Sequence, residues 1–329
     1  MIGSRALLPL ALCGCLLLGA CGLPSLVQPG LTSSAERPTS PPTASPQPAP
    51  ARSAAPAPSC ADNGKASLRP QGSVPAPGSF PAGSFMKTVY DRGKIVIGVS
   101  KDTWLFGYVD PGTNQLQGFD IDIAREVGKA LFGDYNHIEL RVTQVANRIP
   151  ALKDGSVDLV SWAFTANCAR WQQIDFSTVY YNSGQTVMVA KNSPYHSLQD
   201  LTEKRVCAAM GSTSIESLAR SSAKPIPVGV PDQSDCLVLL QRGAVDAIST
   251  DEALLLGLAA QDPTVHIVGD KFTDEPYALG ISQSHPEFVR FVNAVLDRMR
   301  SDGTWAAIYN RWLGKYGASA TPPPASYKD

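Results

Sequence analysis

From Lys94 onward, short uninterrupted apolar runs alternate with stretches of helical periodicity. That alternation confines the chain to parallel sheets flanked by helices. Ile95-Val96-Ile97-Gly98-Val99 has no polar position, as a strand covered on both faces requires. Residues 119–132 follow as a helix, with Phe119, Ile123, Val127 and Leu131 at four-residue spacing and Asp120 as the expected N-cap. Residues 138–142 read as the next strand and 147–153 as a short helix that tolerates Pro150 only in its first turn. Val157-Asp158-Leu159-Val160 returns to the sheet.

The same grammar recurs downstream. Residues 205–209 form a strand, Gly211-Ser212-Thr213-Ser214 a turn, and 215–221 a helix. A second helix at 236–242 precedes the strand 247–249. Gly155-Ser156-Val157-Asp158 and Gly243-Ala244-Val245-Asp246 echo one another, so two related lobes are expected. Residues 286–312 read as a final helical region, with Phe288, Phe291, Val292, Val295 and Met299 facing the core and Trp305 and Trp312 as late anchors.

Ahead of this alternation the chain has a different character. Arg5 and the apolar run through Leu16, Leu17 and Leu18 form an export signal, interrupted by Pro9 and Gly14 and too short to span a bilayer permanently. The run ends in Leu18-Gly19-Ala20-Cys21, which resembles a bacterial lipobox. Residues 1–20 are therefore expected to be a lipoprotein signal peptide, with Cys21 lipidated and the protein held at the extracytoplasmic face of the cell membrane. Residues 22–59 are dominated by Pro, Ala, Ser and Thr and cannot bury enough apolar surface to offset their ordering entropy. They read as a tether with a reach of roughly 35–120 Å, extending loosely to about Ser84, so that 21–84 form one anchoring segment.

Composition narrows the function. The net charge of −1 and the charged fraction of 17% leave no electrostatic footprint for nucleic acid. The four histidines, at 137, 196, 266 and 285, are scattered without metal-ligand spacing, so neither metal nor cofactor is expected. No Ser-His-Asp or Gly-x-Ser-x-Gly arrangement, Cys-His pair or dinucleotide fingerprint points to an enzyme. Besides Cys21 and the two cysteines of the signal, Cys60, Cys168, Cys207 and Cys236 remain, an even set in an exported chain with three possible pairings.

Several motifs in order resemble the polar amino acid family of bacterial ABC-transporter solute-binding proteins. They are Gly118-Phe119-Asp120-Ile121-Asp122, Asn147-Arg148-Ile149-Pro150-Ala151-Leu152, Val157-Asp158 followed by Thr165 and Arg170, Asp175-Phe176-Ser177, Tyr180-Tyr181 and Gly303-Thr304-Trp305. The resemblance covers 89–316, and the Asn147-Arg148-Ile149-Pro150 run is most similar to the glutamate/aspartate-binding branch, beside glutamine-binding lipoproteins. It implies a type II periplasmic-binding-protein-like α/β fold of two lobes, each a mostly parallel sheet flanked by helices, with two crossover strands as hinge. Lobe 1 would be 85–185 with 277–317, lobe 2 would be 186–276, and 318–329 a C-terminal tail. The crossovers would be 185–190 and the stretch 277–281. With that architecture, Cys207 pairs with Cys236 inside lobe 2 and Cys60 with Cys168 at lobe 1, since a bridge between lobes would lock the hinge.

The resemblance also implies a function: a monomer that captures a polar amino acid in the interlobe cleft and delivers it to an ABC permease. Glutamate or aspartate is favoured, then asparagine or glutamine. A ligand-sensing subunit that presents the amino acid to a membrane receptor is the alternative, and a dehydratase-like enzyme on the same scaffold ranks below both. The ligand's charges must all be satisfied, because burial makes an unpaired charge costly. Arg170 is expected on the α-carboxylate, where its planar fork binds bidentately. The Thr165 hydroxyl and Ala163 carbonyl are expected at the α-ammonium, with Asp251 as its anionic partner or as a helix N-cap. Backbone N–H groups of Ser212 and Thr213 would face an anion at a helix start, and Arg148 a side-chain carboxylate. Lys101 and Trp104, on the loop after the first strand, are also expected to contact the ligand; Lys101 could pair with Asp102 and adjoins Ser100, the position of a ligand-binding arginine in a relative.

Overall fold

The computed structural model of the protein describes residues 47–48, 60–316 and 320–329. The expected signal peptide, the lipid-bearing Cys21 and nearly all of the tether up to residue 59 lie outside the described residues.

Lobe 1 is built on a five-stranded sheet in the order Ile138–Val142, Ile95–Val99, Leu159–Val160, Gly280–Ile281 and Asp175–Phe176. The first three run parallel, with Gly98 opposite both Arg141 and Val160, and Gly280 pairs antiparallel with Val160 and Phe176. Every residue of Ile95–Val99 is buried, which is why the run carries no polar position. The helices Phe119–Phe132, Pro286–Ser301 and Thr304–Trp312 bury Phe119, Ile123, Phe288, Val292 and Trp305 in the same core.

Lobe 2 carries a six-stranded sheet: Gln47–Pro48, Ile226–Val230, Arg205–Ala209, Ala247–Asp251, Gln185–Ala190 and Val265–Val268. Its two faces bury separate clusters, one around Val187, Val206 and Leu218, the other around Met188, Val228 and Leu240. A disulfide joins Cys207 on the central strand to Cys236 on the helix Gln233–Gln241, and a second joins Cys60 to Cys168, the pairing expected.

The crossovers lie a few residues from their expected places. Tyr181–Ser183 and Glu275–Tyr277 pair antiparallel as a two-stranded ribbon between the lobes, with Tyr181 opposite Tyr277. Gln185–Ala190 is instead an interior strand of lobe 2, held between Ala247–Asp251 and Val265–Val268, and Gly280–Ile281 belongs to the lobe 1 sheet. The apolar Val187-Met188-Val189 run is buried on both faces and could not sit in an open hinge.

Three other expectations are corrected. Gly118, not Asp120, occupies the N-cap of Phe119–Phe132, because the chain there has φ +140° and a Cβ would lie 2.2 Å from the Phe106 carbonyl oxygen. The region 286–312 is two helices, broken at Gly303, whose φ of +83° suits glycine. Residues 60–84 are not a loose end of the tether: Ser67 is fully buried and Phe80 nearly so, and 320–329 pack beside them.

Candidate functional site

Two arginines line the lobe 1 wall of the interlobe cleft. Arg148 opens the helix Arg148–Lys153; its Nε donates to the Val145 carbonyl (3.0 Å) and its Nη1 to that of Trp162 (3.1 Å). Its guanidinium lies 4.4 Å from the Phe164 ring centre, a cation–π contact. Arg170 stands on the short helix Cys168–Trp171; Nη1 donates to the Thr165 carbonyl (2.8 Å), and Nη2 reaches across the cleft to the Gly211 carbonyl (3.3 Å). Relative exposures are only 4% and 6%. Among the described residues neither makes an ion pair, whereas the more exposed Arg92, Arg125 and Arg311 each do. Burial, and then the like charge of Arg170, holds the Arg148 pKa well below the usual arginine range. Burial lowers that of Arg170 against the pull of Glu216, Glu275 and Asp251. Both keep their charge at neutral pH, so the wall is positive and without a matching carboxylate.

The lobe 2 wall is the reverse. Asp251 ends the strand Ala247–Asp251 and is 4% exposed; its Oδ2 accepts from the Tyr277 hydroxyl (2.5 Å), and its Oδ1 is buried with no partner among the described residues. Burial, then the nearby Glu275 carboxylate, pushes its pKa up to about 8. Gln233, at the start of Gln233–Gln241, has its amide orientation fixed: Oε1 accepts from the Ala209 N–H (3.1 Å), so Nε2 is turned to the cavity wall, where it is buried and unpartnered. The Cys207–Cys236 disulfide ties this helix to the strand that carries Ala209.

Glu275, on the hinge ribbon and 3% exposed, ties the walls together. Its Oε2 accepts from Thr165 Oγ1 of lobe 1 (2.7 Å) and Thr213 Oγ1 of lobe 2 (2.8 Å). Farther out, Ser234 of lobe 2 donates to the Asp102 carboxylate. Gly211 packs on Ala146, and Gly257 on the Trp104 backbone. The lobes are closed around a cavity of about 30 Å³, which is room for a water or two. A ligand of amino-acid size enters only with the lobes apart.

Seven of the nine ligand-contacting residues expected from the sequence meet at this cavity: Arg148, Ala163, Thr165, Arg170, Ser212, Thr213 and Asp251. Their roles are refined by geometry. The Ser212 N–H turns back onto the Ala209 carbonyl (3.3 Å) and its hydroxyl caps the Ile215 N–H, which leaves the Thr213 amide as the one at the helix start. Asp251 holds the N-cap position of Glu252–Ala259, but its side chain makes no cap bond. Lys101 and Trp104 do not line the cavity. The small sheet Asp102–Thr103, Gly107–Val109 and Leu116–Gln117 turns Trp104 onto Tyr108 (4.3 Å between ring centres) and leaves Lys101 exposed. Asp102 accepts from Ser100 and Ser234, not from Lys101.

Gln233, Thr250, Leu254 and Glu275 were not singled out from the sequence. Asp120, the expected cap, is instead a buried strut, accepting from the Ala163 N–H (2.6 Å) and the Tyr180 hydroxyl (2.6 Å). Burial pushes its pKa up to about 7. Among the described residues no cluster of His, Cys, Asp or Glu could hold a metal ion.

Comparison with known proteins agrees with this architecture. Among curated relatives, the chain is 33% identical over 229 residues to the ABC transporter glutamine-binding protein GlnH of Bacillus subtilis (strain 168), covering 69% of this chain and 84% of that one. It is 28% identical over 277 residues to the glutamate-binding protein GluB of Corynebacterium efficiens, covering 78% and 92%. Among solved structures, an ancestral arginine-binding protein bound to glutamine superposes with a TM-score of 0.63 at 33% identity, covering 68% of this chain and 99% of that one. The solute receptor for L-cysteine of Neisseria gonorrhoeae gives a TM-score of 0.69 at 26% identity, covering 73% and 99%. These relatives are binding proteins rather than enzymes, and the family model for bacterial extracellular solute-binding proteins, family 3, matches residues 95–315. The chain belongs to that family of solute-binding proteins.

Proposed function

We propose that the protein captures an acidic amino acid, glutamate or aspartate, between its lobes and hands it to an ABC permease. The observation that carries this reading is the pair of buried, unpaired guanidiniums facing a buried carboxylate with an empty acceptor. Arg170 takes the α-carboxylate, joined by the Thr213 amide at a helix start. Asp251 takes the α-ammonium, with the Thr165 hydroxyl oxygen as a further acceptor, because its proton is already given to Glu275. Val145 and Leu254 flank the path of the side-chain methylenes. For the end of the side chain the cavity lining offers two donors, Arg148 and the Gln233 amide NH₂. A carboxylate accepts only, so a donor-only end suits it better than an amide, which would bring donors of its own.

Relatives named for glutamine, glutamate and arginine binding agree with an amino acid and leave the side chain to these donors. Isothermal titration of the protein lacking residues 1–58 against glutamate, aspartate, glutamine and asparagine tests the proposal. The acids should bind at least about tenfold tighter than their amides. An amide that binds equally well would remove the acidic preference, and no binding by any of the four would remove the reading as a whole. We also propose that Cys21 carries the lipid anchor, holding the protein to the outer face of the cell membrane. Incorporation of labelled palmitate that survives Cys21→Ala would refute this.

A further inference from the structure

Among the described residues outside the family match of 95–315 are the strap 60–84 and the tail 320–329. They meet each other on the back of lobe 1. Ser67 and Tyr327 form a parallel bridge, with the Ser67 N–H on the Ser326 carbonyl (3.0 Å) and the Lys328 N–H on the Ser67 carbonyl (2.9 Å). Arg69 lies over the Tyr327 ring (4.6 Å), and its N–H donates to the Asp329 carboxylate (2.7 Å). Asn293, wholly buried, donates to both Ser67 Oγ (2.8 Å) and the Leu68 carbonyl (2.7 Å).

The joined segments converge on one element of the binding site, the four-residue helix Cys168–Trp171. The strap holds its first residue through the Cys60–Cys168 disulfide. The strap's Gly64 carbonyl accepts from Trp171 Nε1 (2.7 Å), fixing the last residue. The tail's Lys328 ammonium sits 3.6 Å from the Trp171 ring centre. Gly64 lies so close to Asn167 that a Cβ would come within 2.8 Å of its backbone, and φ there is +84°. Asn167 in turn accepts from the Arg170 N–H (2.9 Å). Arg170 is thus flanked by a residue clamped from the strap and a residue clamped from both strap and tail. A helix of one turn has little rigidity of its own, so its aim depends on what holds its ends.

We propose that strap and tail form a clasp that positions Arg170 for the ligand's α-carboxylate, with Cys60, Gly64 and Lys328 as positioning residues. The proposal rests on the reading that Arg170 takes that carboxylate. A loosened clasp should therefore weaken recognition of the α-carboxylate in particular, which a loss of general stability would not do.

The test compares L-glutamate with L-isoglutamine, which keeps the side-chain carboxylate and replaces the α-carboxylate by a carboxamide. Both are titrated into the full-length protein in detergent. The wild-type protein should prefer glutamate by about a hundredfold or more. In the Cys60→Ser/Cys168→Ser double variant that preference should shrink about tenfold, and in Lys328→Met about threefold, with Lys328→Arg restoring it. If the double variant does not fold, Lys328→Met keeps the disulfide and still decides. A preference unchanged in the folded variants, even with a lower melting temperature, overturns the clasp and leaves the Arg170 reading intact. No preference in the wild-type protein overturns that reading, and the clasp with it.

Discussion

The two walls of the cleft are opposite in what they lack. Lobe 1 buries two guanidiniums, Arg148 and Arg170, whose donors reach only neutral carbonyls. Lobe 2 buries Asp251 with one oxygen unpartnered. The positive wall alone would prefer water, since a buried charge without a counter-charge costs several kcal/mol, of order 3–5 when its partner is removed. A zwitterion satisfies both walls in one orientation only, carboxylate toward lobe 1 and ammonium toward lobe 2. The asymmetry thus couples binding to closure: the ligand stabilises the closed form by its contacts with both lobes at once. On the hinge, the Glu275 carboxylate accepts from Thr165 and Thr213 and the Tyr277 hydroxyl donates to Asp251, and these bonds set how the walls meet.

Removing the stronger half of this contrast should cost most. Arg170→Ala should reduce affinity for every amino acid by about a hundredfold or more, because the α-carboxylate is then buried unpaired. A loss below about tenfold by calorimetry would show that the positive wall is not where the α-carboxylate sits. Arg148→Met should be selective, costing glutamate and aspartate about thirtyfold and their amides far less. Equal losses would make lobe 1 a one-charge wall.

The negative wall predicts a pH effect. In the closed, unliganded protein Asp251 has its pKa pushed up to about 8, against about 4 for an ordinary carboxyl. Between those values it holds a proton that an arriving ammonium displaces. Binding at pH 6–7 should release a proton, and affinity should rise with pH by at most about tenfold per unit, levelling off near 8. Titration in buffers of different ionisation enthalpy reads the proton directly, and its absence would mean that Asp251 is ionised before the ligand arrives. The sign for stability is the reverse: the folded, empty chain keeps a proton that the unfolded chain has lost, so this group's contribution falls as pH rises from about 4 to 8. The smallest effect is expected from Gln233→Met, a loss of about fivefold in the preference for acids over amides. If the preference is unchanged, the NH₂ group is a bystander.

What was legible in the sequence follows the range of the forces involved. The strand Ile95–Val99, and Arg205–Ala209 beyond its exposed first residue, were plain because continuous burial writes itself as continuous apolar residues. That Arg170 and Asp251 would face one cavity was expected from the counter-charges that a free amino acid requires, and both line it. Gln233 was not, because its role depends on the Ala209 N–H, twenty-four residues away and set by the packing of one helix on one strand. Asp120 looked like a cap because its local context fits one, and only the Ala163 and Tyr180 contacts show otherwise. The hinge lies a few residues from its expected place because register between lobes has no local signature. The pairing of strap with tail was not legible because the bridge between Ser67 and Tyr327 is made by backbone, with few large apolar residues to announce it.

At two places on the rim the lobes meet through glycines: a Cβ on Gly257 would lie 2.8 Å from the Trp104 carbonyl oxygen, and one on Gly211 would lie 2.7 Å from Ala146 Cα. At these two places main chain closes on main chain, and the flip of a rotamer cannot part them. A captured solute therefore departs only when the whole hinge swings, so its residence time is governed by one collective opening step. Two solutes of different affinity that allow the same seam would share that step, and the rate of handover would be a property of the protein more than of its cargo.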